Sequence, residues 1–148
     1  FKSEAAWLDG LVFSAAPNRD NSRLDLLMGV EYSGLSDTTI SLEAVNRHLV
    51  DFDPSLTRGY ENLSENEFQW AMRVSRDFMH ERLEVVFLAL LYGEYAQEGA
   101  VERLEFTYEI TDQWEAASGL VLYQGGNDPT LEKMADNDRL FMRIKFSF

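Results

Sequence analysis

Cysteine is absent from the 148 residues, which excludes disulfide frameworks, thiolate metal sites and cysteine nucleophiles. Histidine is nearly absent. His48 and His80 are the only two, too few for a histidine-rich metal centre, and neither a Gly-x-Ser-x-Gly elbow nor a phosphate-binding loop occurs. Base is scarce as well: 13 Lys and Arg stand against 26 Asp and Glu, a formal net charge of -13. That argues against a nucleic-acid partner, which would need a basic face to displace counterions from phosphate. The longest apolar run, Val85 to Tyr92, is eight residues, far short of the roughly 20 of a membrane-spanning helix. Internal repeats, low-complexity tracts and linkers are also missing, so residues 1–148 read as one domain or one segment of a domain. The chain opens at Phe1 with neither an initiator Met nor a signal peptide; a removed leader or a longer parent chain is the expectation.

What is present is a period of two. Leu140, Met142, Ile144, Phe146 and Phe148 alternate with Arg143, Lys145 and Ser147, which puts the two sets on opposite faces of a strand. Leu24 to Ser33, Phe68 to Ser75 and Arg103 to Ile110 alternate likewise. Eight such strands are predicted, at about 2–13, 22–33, 37–49, 67–78, 81–93, 100–111, 113–124 and 139–148. Each is near the roughly 9–11 residues a tilted strand needs to cross a bilayer.

The connections alternate too. Gly34-Leu35-Ser36, Met79-His80 and Thr111-Asp112 are tight turns, whereas Ser14–Asn21, Val50–Asn66, Glu94–Glu98 and Gly125–Asp138 are longer. Short turns at one end and long loops at the other predict an all-β fold, an antiparallel up-and-down transmembrane barrel of a Gram-negative outer membrane.

A soluble lipocalin-like barrel would show the same alternation with its apolar face inward. Three features favour apolar-out. Trp7, Tyr32, Phe78, Tyr108, Trp114, Tyr123 and Phe148 lie toward strand ends, where interfacial girdles sit. The opposite face carries seven bases (Lys2, Arg47, Arg73, Arg82, Arg103, Arg143, Lys145) and eight acids (Glu4, Asp25, Glu31, Glu43, Glu84, Glu105, Glu109, Glu115), a near balance suited to an internal lattice of ion pairs. The last strand also stops on Phe148 with no helix to cap a calyx. Strand five departs from the pattern, because Val86, Leu88, Leu90 and Tyr92 are apolar on the lumen side, and Val121 and Tyr123 do the same in strand seven.

The final Leu140–Phe148, with Met142, Ile144, Phe146 and Phe148 on one face, resembles the C-terminal β-signal read by the barrel assembly machinery of outer membranes. Asn137-Asp138-Arg139, Gly119-Leu120-Val121-Leu122-Tyr123-Gln124-Gly125-Gly126 and Arg73-Val74-Ser75-Arg76-Asp77-Phe78 are similar to the C-terminal part of a family of large proteobacterial outer-membrane barrels, a domain of unknown function. That resemblance covers most of the chain. It implies porin-like architecture, hydrophobic cargo, a parent longer than 148 residues, and the assembly machinery, periplasmic chaperones, outer-membrane lipid and lipopolysaccharide as partners.

Glu31, Glu43, Arg47, Arg73, Arg103, Glu105, Arg143 and Lys145 are the expected lumen-lining residues. In an eight-stranded ring they would fill a packed core, and in a larger ring they would line a channel wall. Transport through a charge-lined lumen is the expected function, with no enzyme activity, cofactor or metal. The alternative is a complete small barrel with a structural or surface-binding role. His48, with Asp51 and Asp53 beyond it, is the one candidate base and reads as a rim histidine beside an acidic loop; His80 reads as a solvated turn residue. Asp128, Glu132, Asp136 and Asp138 form the densest acidic cluster, but their spacing departs from an EF-hand loop and lacks its central Gly.

Overall fold

A computed structural model describes residues 1–58 and 63–148; Gly59 and Glu61 of the long predicted loop lie outside that set. Eight strands form one antiparallel sheet in the order of the chain. They are β1 (Lys2–Phe13), β2 (Ala16–Leu35), β3 (Thr38–Val50), β4 (Asn66–Phe78), β5 (Leu83–Tyr92), β6 (Gly99–Thr111), β7 (Trp114–Gln124) and β8 (Arg139–Phe146). A 3-10 turn, Leu56–Arg58, sits in the β3–β4 connection, and a short helix α1, Pro129–Met134, sits between β7 and β8. Each strand pairs with its sequence neighbours. No ladder joins β1 to β8, nor do the two pack along their length.

Register decides which side chains share a face. Tyr32, Ile40, Val74, Phe87, Leu104, Leu120 and Leu140 stand in one row across β2 to β8. The next row on that side is Arg76, Val85, Phe106, Ser118 and Met142. This is the apolar face. Its large side chains are open to the surroundings; Trp7, Met28, Tyr32, Leu42, Phe106, Leu140 and Met142 are all exposed, Met142 at 83%. Little of the chain is sealed from solvent, and the residues that are, such as Leu49, Ala89, Ala100 and Ala117, are mostly small. The accessible surface is 10276 Å² for 17.0 kDa, against about 7,700 Å² expected of a compact monomer of that mass.

Several boundaries and assignments differ from those the sequence predicts. The first outer connection is not a loop over Ser14–Asn21, because β2 begins at Ala16 and closes on β1 in a tight hairpin. Ala16–Asn21 extends past Val50, the last residue of β3, so it pairs with β1 alone. Pro17 is tolerated there because its other edge has no ladder to complete. Asn21 fixes the hairpin, its buried side-chain amide donating to the carbonyls of Leu11 (3.3 Å) and Arg19 (3.2 Å). Arg82 belongs to the β4–β5 turn rather than to a strand. β8 ends at Phe146, two residues before Phe148. Tyr123 stands opposite Val101 on the charged face, so it drops out of the aromatic set expected on the apolar face.

Candidate functional site: the charged face

On the second face, register puts Glu31, Ser41, Arg73, Leu88, Arg103, Val121 and Arg139 in one row. A neighbouring row holds Lys2, Gly29, Glu43, Ala71, Leu90, Val101 and Tyr123. Asp25, Arg47 and Glu67 make a third. All eight expected lumen residues therefore share one side of the sheet: Glu31, Glu43, Arg47, Arg73, Arg103, Glu105, Arg143 and Lys145.

Ion pairs knit this face in two groups. Toward β8, Glu105 accepts from Arg103 at 2.6 Å and lies 3.5 Å from Arg143. Arg143 also reaches Glu115 (3.7 Å), which in turn meets Lys145 at 4.0 Å. Glu109 and Glu115 stand directly opposite each other, a like-charge pair that the Lys145 ammonium beside Glu115 offsets. Toward β1, Lys2 bridges to Glu43 across β2, passing over Gly29. A Cβ at Gly29 would sit 2.9 Å from the Lys2 side chain and 3.3 Å from that of Glu43, so a side chain there would push the pair apart. Elsewhere Arg73 is 3.7 Å from Glu84 and donates to Ser75, Ser41 donates to Glu31 (3.2 Å), and Arg23 binds Asp25 through two guanidinium nitrogens. Most of these side chains are wet, Arg143 at 55% and Lys145 at 60% exposure. Pairs in such surroundings contribute about 0–1 kcal/mol each. They set the character of the surface more than its stability.

Met142, Ile144 and Phe146 of the C-terminal motif project from the apolar face. There the Trp114 and Phe146 rings lie 4.7 Å apart, and Phe148 meets Phe146 edge-on at 5.1 Å. These rings form an aromatic cluster at the short-turn end of the sheet.

His48 does not meet the acids that follow it. It stands on the apolar face, with Nδ1 3.0 Å from the Asn66 side-chain oxygen. Asp53 instead accepts from Arg19 (2.9 Å) and from the Ser55 backbone N–H (2.8 Å). The Ser55 bond, with Arg19 adding, holds the Asp53 carboxyl below the usual carboxylate range. In the acidic cluster, Asp128 caps α1 by accepting from the Thr130 and Leu131 N–H groups, and Asp138 accepts from the Tyr123 N–H at 3.0 Å. No group of three or more His, Asp or Glu side chains suited to a metal ion occurs among the described residues.

The structure adds Glu67, Arg139 and Phe141 to this face. Parity could have found them: Glu67 shares a face with Gln69, and Arg139 and Phe141 share one with Arg143 and Lys145. Arg103 lies 5.0 Å over the Phe141 ring and Arg139 lies 5.8 Å over Tyr123. At the loop end, a cleft of about 440 Å³ opens among Asn66, Glu67, Tyr92, Gln97 and Asp128.

No family model, curated protein or solved structure matches the chain. The resemblance to large outer-membrane barrels therefore rests on the three short stretches alone.

Proposed function

We propose that the chain is the wall of an outer-membrane β-barrel, with the apolar face against lipid and the charged face lining a water-filled lumen. Its work is the passage of small or hydrophobic solutes, without covalent chemistry. The observation that carries this reading is the sorting of the sheet. Large apolar side chains are exposed on one face of seven of the eight strands, all but β5, while the ion pairs lie on the other face. A soluble barrel would hide the apolar face inside, and a soluble monomer rarely exposes apolar patches beyond a few hundred Å².

One feature favours a ring larger than eight strands over a small closed barrel. In an eight-stranded ring, side chains fill the interior, yet Lys2, Arg143 and Lys145 are more than half exposed. Further strands would complete the ring.

The chain's own three tryptophans test the lipid assignment, because Trp7, Trp70 and Trp114 all stand on the apolar face. Reconstituted into vesicles of bromine-tagged lipid, their emission is expected to be quenched by the lipid and little by aqueous iodide. Quenching by iodide alone would overturn the assignment.

A further inference from the structure

β5 is the one strand apolar over most of both faces. Phe87, Ala89 and Leu91 point to the lipid side, and Val86, Leu88, Leu90 and Tyr92 point to the other. A strand patterned this way is ordinarily covered on both sides. Here, among the described residues, no further strand or helix packs along β5: its extended contacts are with β4 and β6, and α1 packs at the loop end on β6 and β7. The apolar stretch continues sideways through Val101, Val121 and Phe141. A cleft of about 780 Å³ lies over Leu88, Val101, Val121 and Phe141, within the range of small-molecule sites. Cations punctuate it: Arg73, Leu88, Arg103, Val121 and Arg139 alternate along one row. The Arg103 and Arg139 guanidinium carbons lie over the Phe141 and Tyr123 rings, at 5.0 Å and 5.8 Å from their centroids. The one acid at the rim, Asp138, is engaged by the Tyr123 N–H, while Arg103 also binds Glu105.

We propose that this half of the lumen face is a binding stretch for a single-chain amphiphile with an anionic head. The aliphatic tail would lie along Leu88, Val121 and Phe141, with the head against Arg139 and Arg103. This deepens the transport reading and rests on it. It names the solute as an alkyl anion and puts its track on β5 to β8, leaving the more polar β1 to β4 half to water. Charge complementarity selects the occupant, because a neutral apolar plug would leave the arginines beside it without purpose.

The test is photo-crosslinking of the reconstituted chain in nanodiscs with a diazirine-bearing dodecanoate, mapped by mass spectrometry. The proposal expects adducts at Leu88, Val121 or Phe141 in addition to lipid-side adducts at Leu104 and Leu120. Unlabelled dodecanoate should reduce the lumen-side adducts at least tenfold, and dodecyltrimethylammonium should not. Arg139→Gln should lower them about fivefold with lipid-side adducts unchanged. Leu88→Ser should do the same, and the constant lipid-side signal shows that either variant is still inserted. Adducts confined to Leu104 and Leu120 would overturn the proposal and leave the membrane reading standing. Equal competition by the ammonium amphiphile would overturn the anionic head. Adducts spread over both faces without competition would overturn the track and the lipid-facing assignment together.

Discussion

Single residues decide how closely the strands approach on the charged face. Gly119 stands between Glu105 and Phe141, and a Cβ there would lie 2.3 Å from the Leu104 carbonyl oxygen and 2.7 Å from the Phe141 ring. Gly119→Ala should therefore force Phe141 off its seat and loosen the Arg103 stack. The expected loss is about 1–3 kcal/mol, the usual cost of overpacking, read from the urea midpoint of refolding into vesicles; an unchanged midpoint would count against this packing. The β4–β5 turn carries the opposite liability. Met79, His80 and Glu81 all adopt positive φ, 55°, 60° and 67°, a region costing non-glycine residues about 1–2 kcal/mol each. His80→Gly should stabilise the hairpin by about 1 kcal/mol in the same titration. Asp53 gives a pH signature. Its folded-state pKa is depressed, so its contribution to loop order is present above the ordinary carboxylate range and disappears as pH falls through the depressed value. Amide exchange at Ser55 should accelerate only at acid pH, and Asp53→Asn should weaken that dependence.

At the scale of elements, alternation was legible because a strand with unlike faces writes its geometry into sequence parity. β1, β4, β6 and β7 lie within about a residue of their predicted spans for that reason. Two of the misreadings come from turn-type residues performing other work. Pro17, Asn18 and Asp20 look like a loop but form a projecting hairpin with one free edge. Asp128-Pro129 looks like a turn but is the N-cap and first residue of α1, a pairing that suits a helix start equally well. The two-faced sheet makes a paired prediction on β6. Leu104→Arg should cost about 2–4 kcal/mol if the residue lies near the bilayer midplane. Thr107→Arg, on the other face of the same strand, should stay within about 0.5 kcal/mol. Similar losses at both positions would refute the assignment of faces.

At the scale of the whole molecule, the surface excess and the exposed ion pairs accord with the proposed wall. Parity revealed the two faces but carried no information on ring closure, because eight alternating strands read the same in a small barrel and in part of a large one. Exposure of Lys2, Arg143 and Lys145 favours the proposed larger ring. The loss of Arg143, 55% exposed, should scarcely alter stability while changing, on the proposed reading, the charge a passing solute meets.

The absence of cysteine makes the central claim open to a direct measurement, because each introduced thiol is the only one in the molecule. Single cysteines at positions 103 to 107 along β6, in the reconstituted protein, would be probed with a charged, water-soluble maleimide. The arrangement of faces predicts fast labelling at 103, 105 and 107 and protection at 104 and 106. Labelling that ignores parity, or protection at 103, 105 and 107 instead, would contradict a wall with lipid on one side and water on the other.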